Sequence, residues 1–328
     1  MVHYDIWMRK YLENRESIVK ALRDSARDVE EVKKKIPIDE LIKPLELPKV
    51  SLSEGMCFVD GGEGLRETMG AGVYFVRASA LHLSSVESGG EFIRDLDLGV
   101  IAYDDYTKER VEFMRETLEH KVAAECILKH KPAFAFLDGS LYVKSQQKRI
   151  ECAEFFESEA AFSKLLESAQ RLCTQLVGVS EDSKSRLLKR HLESRFGVKF
   201  PAFLTDPTIL EMLSPHKTYM TATLSPKRGS HTYKTVYIKP MPHANPMRVD
   251  FAPWIQDVST PLSVVAELSK ASGGYGYPMP LYLAHLDSAI PERQADWNTK
   301  RIVDHAIKDD EKTGGAVFGR TRRDVRPK

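Results

Sequence analysis

Two aspartates in the sequence each stand at the end of an apolar run, and each is followed by a glycine. Asp60 closes the run in MCFVDGGEG (56–64), and Asp138 closes the run in FAFLDGSLYV (134–143). In an open α/β sheet, ligand chemistry collects where the central strands end. If these two strands are neighbours, their carboxylates converge and repel each other unless a proton or a cation lies between them. Hard divalent cations prefer oxygen ligands, so the pair predicts a site for Mn²⁺ or Mg²⁺.

A third carboxylate is available on the helix predicted over 107–130. Glu112, Glu116 and Glu119 are spaced by four and then three residues, which places them on neighbouring turns. Two aspartates and one glutamate around one or two metal ions would position a water and stabilise the charge that develops in phosphoryl transfer. The reaction that this predicts is phosphodiester hydrolysis.

Each of these residues also has a purely structural interpretation. An Asp-Gly pair after a strand is commonly a turn in which the aspartate bonds its own backbone. Glutamates on a helix commonly form its solvated face. The residue types and spacings by themselves leave both interpretations open.

The surrounding pattern predicts how these residues are positioned. Predicted elements are helices at 3–36, 107–130, 260–271 and 280–308, strands at 56–60, 72–84, about 95–103 and 133–138, strand pieces within 218–251, and a mainly helical stretch at 150–195. Three strands, a helix, a strand and then helices are typical of an α/β mixed sheet flanked by helices. The first three strands could form a meander, and the two Asp-bearing strands could be neighbours.

The overall composition excludes few classes of function. The chain has 328 residues and a formal net charge of +1, which by itself predicts neither a nucleic-acid binder nor an enzyme for acidic substrates. From Lys312 onward there are six basic residues and one acid, so this tail could touch a phosphate backbone or simply be solvated. There is no P-loop motif, so we expect no ATP binding of that kind.

Localisation follows from three further features. The four cysteines form no C-x-x-C pair and are expected to be reduced core residues. The N-terminal stretch is charged from the start, without the apolar core of a signal peptide, and no apolar run is long enough to span a bilayer. We therefore expect a soluble, cytoplasmic protein with no membrane partner.

Five segments resemble, in the same order, motifs of the NurA nuclease family. They are FVDGGEG (58–64), ETLEHKVA (116–123), FAFLDGSLYV, LVGVSEDSKSRLL (176–188) and YGYPMPLYLAHLDSAI (275–290). The resemblance runs from about 50 to 290. It implies an RNase H-like core and a manganese-dependent nuclease for DNA double-strand break repair and homologous recombination. Such an enzyme resects ends 5′ to 3′ and cuts single strands, as a dimer with a HerA-type hexameric ATPase.

The same resemblance implies roles for individual residues. Asp60 and Asp138 match the two aspartate ligands, and Glu119 matches the helical glutamate, for which Glu116 is the alternative. Tyr277 and His285 match active-site positions of the late motif, and we add His285 to the predicted metal ligands.

The late motif has other interpretations when the family is set aside. His285 could ligate a metal, protonate a leaving oxygen, contact phosphate or be a hydrogen-bonded core histidine. Tyr277 could stack on a base or lie at the edge of the core. Asp287 points away from His285 on an ideal helix and is not predicted as a ligand. In the segment 176–188, by contrast, the resemblance implies a basic residue for holding DNA phosphates where Glu181 stands, and Lys184 is the alternative source of that charge.

These inferences give one overall prediction. An N-terminal helix and linker occupy 1–50, an RNase H-like nuclease domain with a helical insertion at about 150–215 occupies 51–310, and a flexible basic tail occupies 311–328. The predicted function is a metal-dependent DNA nuclease, both 5′–3′ exonuclease and single-strand endonuclease. The alternatives are a non-catalytic DNA-binding adaptor dimer for the motor and a metal-dependent phosphohydrolase of small substrates.

Overall fold

The structure is a computed structural model, and it describes residues 2–86, 89–141, 151–181, 183–228 and 230–319. Within these ranges the helices are α1 (Val2–Lys33), α2 (Ile38–Leu41), α3 (Thr107–His130), α4 (Ala153–Arg171), α5 (Leu187–Phe196), α6 (Asp206–Leu213), α7 (Ser259–Lys270), α8 (Met279–Ser288), α9 (Glu292–Asp309) and α10 (Glu311–Val317). The strands are β1 (Ile42–Pro44), β2 (Met56–Glu67), β3 (Gly72–Leu83), β4 (Glu91–Ile101), β5 (Phe134–Asp138), β6 (Gln175–Ser180), β7 (Tyr219–Thr221), β8 (Lys227–Arg228), β9 (His231–Thr232), β10 (Lys234–Lys239) and β11 (Met247–Phe251).

One mixed sheet of nine strands organises the chain, in the order β1-β7-β10-β11-β6-β5-β2-β3-β4. The β2–β5 and β5–β6 pairs are parallel, and the other pairs in this sheet are antiparallel. Helices α3 and α8 both pack against β2 and β3. The predicted α/β mixed sheet flanked by helices is confirmed, as is the adjacency of the two Asp-bearing strands. The RNase H-like description of this sheet stays a prediction.

The predicted meander is present, but its first strand is longer than expected. β2 pairs antiparallel with β3 from Met56 to Glu67, so the prediction that this strand ends at Asp60 is wrong. The reason is that β2 has two different neighbours. Its parallel pairing with β5 stops at Val59, opposite Leu137, whereas its pairing with β3 continues. Asp60 is therefore the first residue of β2 beyond its pairing with β5.

The prediction of a mainly helical stretch at 150–195 is wrong at its centre. Gln175–Ser180 forms β6, which lies between β5 and β11 in the middle of the sheet. Its residues 176–179 are all buried. A central parallel strand is covered on both faces and reads as a short continuous apolar run without the alternation of a surface strand. The helices α4 and α5 lie on either side of it in sequence.

The predicted N-terminal segment takes part in the fold. Val29 and Val32 on α1 are buried in a second apolar core together with residues of α5 and α6. β1 lies within the predicted linker and pairs with β7 at the edge of the sheet. The first half of α1 instead exposes aromatic side chains, including Trp7.

The start of the predicted basic tail is helical and is attached to the β2–β3 turn. The carbonyl of Val317, the last residue of α10, accepts from the Gly70 amide at 2.7 Å, and the Gly319 carbonyl accepts from the Met69 amide at 3.2 Å. Residues 320–328, which hold five of the six basic residues, lie outside the described ranges. A role of this tail on DNA stays a prediction.

The cysteines differ from one another in burial. Cys57 and Cys126 are buried, whereas Cys152 is half-buried and Cys173 is exposed. The prediction that all four are core residues is therefore wrong for Cys173. Among the described helices, none combines the length and the apolarity needed to cross a bilayer.

Candidate metal centre

Parallel pairing of β2 with β5 brings the two aspartates together. The last paired residues are Val59 and Leu137, and the next residue on each strand is Asp60 or Asp138. Asp60 is 5% exposed, and Asp138 is half-buried at the end of its strand. The prediction that the two carboxylates converge is confirmed, and they meet at the end of β5 in the middle of the sheet.

His285 on α8 adds a third potential ligand. Its Nδ1 lies 2.8 Å from Oδ2 of Asp60. One ligand atom from each of Asp60, Asp138 and His285 lies within 4.8 Å of the others. Ligands around one Mg²⁺-sized ion, at about 2.0–2.1 Å from it, lie within about 4.2 Å of each other. Small shifts of these side chains would therefore enclose a cation, and two carboxylates with one imidazole suit a divalent metal.

Ser288, one turn after His285, also contacts the centre. Its hydroxyl donates to Oδ2 of Asp60 at 3.2 Å. The same end of α8 is fastened to β3, because Arg77 donates to the carbonyls of Ser288 and Ala289. Ser288 was not predicted from the sequence, in which its only signal is its spacing of three residues from His285.

Asp287 is not part of the cluster, as predicted. Its carboxylate accepts from the Ser79 hydroxyl and from two nitrogens of Arg94, at 2.7 and 2.9 Å. These bonds lower the pKa of Asp287, with the Arg94 hydrogen bond as the main cause. Asp287 therefore attaches α8 to the β3–β4 hairpin.

Two consecutive glycines allow both helices to approach β2. A Cβ at Gly61 would collide with the carboxylate of Glu119 on α3, and a Cβ at Gly62 would collide with the carbonyl of Ser288 on α8. Successive residues of a strand face opposite sides of the sheet. The pair Gly61-Gly62 thus lets α3 and α8 close on opposite sides of β2, next to Asp60. The GG in MCFVDGGEG is a steric requirement of the site.

Glu119 lies beside the metal cluster but is bonded elsewhere. Its carboxylate accepts from Nη1 of Arg115, one turn earlier on α3. Burial raises the pKa of Glu119 to about 8 against the opposing effect of Arg115, and the charges of Asp60, Glu116 and Asp138 raise it further. Glu116, the alternative helical glutamate, has 37% of its side chain exposed and lies 4.0 Å from Arg115. Burial next to Gly61 thus favours Glu119 of the two.

Arg115 is a second residue that the sequence analysis missed. In addition to Glu119 it pairs with Glu63, its Nε lying 3.2 Å from Oε2. The pKa of Arg115 is raised chiefly by the charge of Glu119. This guanidinium supplies positive charge next to an acidic centre, and its signal in the sequence was its position four residues before Glu119.

The electrostatics of Asp138 favour a bound cation. Burial raises its pKa to about 7, and the Asp60 charge acts in the same direction, while the Tyr277 hydrogen bond and His285 oppose the shift. A divalent ion between the two aspartates would remove the cost of placing their charges together.

Comparisons with known proteins identify the family of this chain. The model of the NurA domain family matches residues 54–290, which is more than half of the chain. The chain belongs to the NurA family. In this member of the family, Asp60, Asp138 and His285 form the convergent set, and Glu119 lies beside them.

Solved NurA structures share the fold. The crystal structure of the NurA nuclease from Sulfolobus solfataricus has a TM-score of 0.69 at 19% identity, over 94% of this chain and 98% of that one. A NurA structure with manganese has a TM-score of 0.61 at 13% identity, over 91% and 98% of the two chains. A NurA structure bound to dAMP and manganese has a TM-score of 0.59 at 13% identity, over 89% and 96%. No curated protein matches this chain by sequence.

The buried side chain of Tyr277 reaches the metal centre from the hydrophobic core. It is 2% exposed, and its hydroxyl hydrogen bonds to Asp138 and lies 3.4 Å from the Val179 carbonyl. Burial raises the pKa of Tyr277 well above its ordinary value, so the hydroxyl stays protonated and donates. The core-edge interpretation is the better one for this residue, since its ring is buried.

Glu181 follows the end of β6, near Asp138. Its carboxylate hydrogen bonds to Tyr275 and, after burial, is the main cause of the raised pKa of that tyrosine. The alternative basic residue, Lys184, is exposed, and no described hydrogen bond or ion pair links it to the centre. A phosphate-binding role for this stretch gains no support from these positions.

Proposed function

We propose that this NurA protein is a metal-dependent deoxyribonuclease that hydrolyses phosphodiester bonds with Mn²⁺, or alternatively Mg²⁺. The observation that carries the proposal is the convergence of Asp60, Asp138 and His285 from three separate segments, with ligand atoms within 4.8 Å of one another. The related NurA structures with manganese, and with dAMP and manganese, support the same choice of metal and substrate class.

Each residue has a role that follows from its position. Asp60, Asp138 and His285 would hold the cation. A bound divalent ion would supply Lewis acidity toward the phosphate and a nucleophilic water. Ser288 and Tyr277 orient the two aspartates through their hydroxyl donors. Glu119, buried beside Gly61, would complete the ligand set or align the attacking water.

The cellular role that we propose is the resection of DNA double-strand ends with a HerA-type hexameric ATPase. The sequence has no P-loop, so a separate motor would have to drive DNA into the site. Stimulation of end resection by the motor with ATP, but not without it, is the expected result. Resection that is unaffected by an added motor would contradict this role.

We also propose that the protein acts as a homodimer. The edge strand β4 exposes a row of apolar side chains, with Leu96 at 51%, Leu98 at 47% and Val100 at 51%. An unpaired edge of this kind is a site for association, and a second copy would cover it. Light scattering is expected to give twice the chain mass of 37.1 kDa, and a monomer at micromolar concentration would contradict the proposal.

Asp138→Asn tests the metal centre directly. Cleavage of end-labelled single- and double-stranded DNA in Mn²⁺ is expected to fall by about 100-fold or more, the upper end for damage to the surroundings of a metal. Folding stability should be unchanged or higher, because the repulsion between Asp138 and Asp60 is removed. The matched control is Asp95→Asn, an exposed aspartate on β4.

The same assay separates the rival functions. Cleavage in Mn²⁺ that EDTA abolishes is expected. DNA that is bound in Mn²⁺ but left intact would indicate the adaptor, and hydrolysis of a chromogenic phosphate ester without DNA cleavage would indicate the phosphohydrolase. Undiminished cleavage by Asp138→Asn would overturn the assignment of the centre.

A further inference from the structure

A small cavity adjoins the metal centre on the side of β6. It has a volume of about 200 Å³, and its lining includes Glu181, His243, Asn245, Tyr275 and Tyr277. Tyr277 belongs to both places, because its hydroxyl bonds to Asp138 while the residue lines the cavity. The cavity therefore opens next to the position where a scissile phosphate would lie.

Aromatic rings connect this cavity to a metal ligand. Tyr275 is 44% exposed, and its ring centroid lies 5.6 Å from that of Tyr282. Tyr282 in turn lies 6.4 Å from the ring of His285, nearly parallel to it at 19°. Tyr275 and His285 are exposed, and Tyr282 between them is half-buried. Aromatic rings in a row beside a cleavage site form a surface on which single-stranded bases stack.

The size of the cavity limits what it can take. Sites for drug-sized ligands have volumes of about 300–1,000 Å³, so a cavity of about 200 Å³ admits a single ring system and not a whole nucleotide. Its charge limits the ligand further. Glu181 lines it, and Asp138 is close enough for the two charges to interact, which disfavours an anionic phosphate and favours an uncharged base.

The polar groups of the cavity are available to a ligand. Asn245 and His243 are exposed, and within the described part of the chain no side-chain hydrogen bond engages either of them. The amide of Asn245 offers both donors and an acceptor, and the imidazole of His243 offers one of each when neutral. The ring of Tyr275 packs against two neighbouring rings, with its centroid 5.9 Å from that of Tyr277 and 5.6 Å from that of Tyr282.

We propose that this cavity is a nucleobase pocket that receives the base of a nucleotide next to the scissile phosphate. Tyr275 stacks on the base, and Asn245 hydrogen bonds to its edge. This inference rests on the proposed nuclease function and deepens it, since it assigns single-stranded DNA, or a frayed end, as the form of DNA that enters the site. Stacking gives affinity for any base, and Asn245 adds a preference among bases.

The test measures the affinity of a labelled single-stranded oligonucleotide by fluorescence anisotropy in Ca²⁺. Tyr275→Ala is expected to weaken binding by about tenfold or more, as for the loss of one stacked base. Tyr275→Phe keeps the ring and should restore most of the affinity, which separates stacking from the bond to Glu181. The control is Tyr11→Ala on α1, because Tyr11 has a similar exposure of 43%.

A series of oligonucleotides with one abasic position locates the base. One position is expected to weaken binding to the wild type as much as Tyr275→Ala does, and to have no further effect in that variant. Asn245→Ala should alter the preference among the four bases at that position and serves as the second variant if Tyr275→Ala misfolds. Unchanged affinity of Tyr275→Ala, or an abasic effect that persists in it, would overturn the pocket.

The experiments distinguish an error in the pocket proposal from an error in the nuclease proposal. If the wild type cleaves DNA but the Tyr275 and Asn245 variants bind it normally, only the pocket is wrong. If the wild type binds oligonucleotides through Tyr275 but cleaves nothing in Mn²⁺, the pocket stands and the nuclease proposal is wrong.

Discussion

Two helices approach Asp60 from opposite sides of β2, and they make different contacts. On the α8 side, His285 and Ser288 bond directly to the Asp60 carboxylate. On the α3 side, Glu119 lies against Gly61 but its carboxylate is bonded to Arg115. The α8 side is thus assembled for a cation, whereas the α3 side already holds the positive charge of an arginine. The two sides should respond differently to mutation.

Loss of His285 is expected to have the largest effect on metal binding. His285→Ala removes one of three convergent ligands and should weaken Mn²⁺ affinity by about 100-fold, whereas Glu119→Gln should weaken it by less than about tenfold. Isothermal titration with Mn²⁺ measures both, and His191→Ala, an exposed histidine on α5, is the control. A greater loss in Glu119→Gln would reverse the comparison between the two sides.

Alanine substitutions at the consecutive glycines Gly61 and Gly62 should differ in their effects on folding stability and on DNA cleavage. At Gly62 a Cβ meets the backbone of Ser288, which cannot move away, so Gly62→Ala should lower the free energy of unfolding by about 1–3 kcal/mol. At Gly61 it meets the side chain of Glu119, which can rotate, so Gly61→Ala should lower cleavage with a smaller loss of stability.

Urea unfolding of both variants measures this difference. Gly89→Ala is the control, because a Cβ there has open space. Equal losses of stability at Gly61 and Gly62 would mean that the α3 side is as rigid as the α8 side.

Removal of the Arg115 charge should have the smallest effect on Mn²⁺ affinity, and it should raise the affinity instead of lowering it. Arg115 lies among Glu119, Glu63 and Glu116, so Arg115→Met should strengthen Mn²⁺ binding by about fivefold, the equivalent of about 1 kcal/mol for one ion pair. The variant should also be less stable without metal, since Glu119 loses its partner in a buried position.

Arg110→Met is the matched control for this effect. Arg110 lies on the same helix and also pairs with two acids, Asp104 at 2.8 Å and Glu154 at 2.7 Å, but outside the metal centre. The shift of the melting temperature on adding Mn²⁺ should grow in Arg115→Met and stay as in the wild type in Arg110→Met. Weaker Mn²⁺ binding by Arg115→Met would show that the arginine supports the metal instead of competing with it.

Local patterns in the sequence were sufficient for much of the sheet and for part of the centre. The helix predicted at 107–130 is α3, and the apolar runs before Asp60 and Asp138 are the neighbouring strands β2 and β5. Periodicity reports which residues are buried over a few turns or strand positions. An acid at the end of a buried run therefore marked both aspartates before any contact was known.

Tertiary structure alone decided what lies around those aspartates. β6 was hidden in a stretch predicted as helix, because a short strand that is buried on both faces has no alternation to detect. The packing of Glu119 against Gly61, the contact of Ser288 with Asp60, and the cavity beside Tyr275 each join residues far apart in the sequence. Such contacts arise when the sheet and its helices pack together, and the spacing of residues along the chain does not encode them.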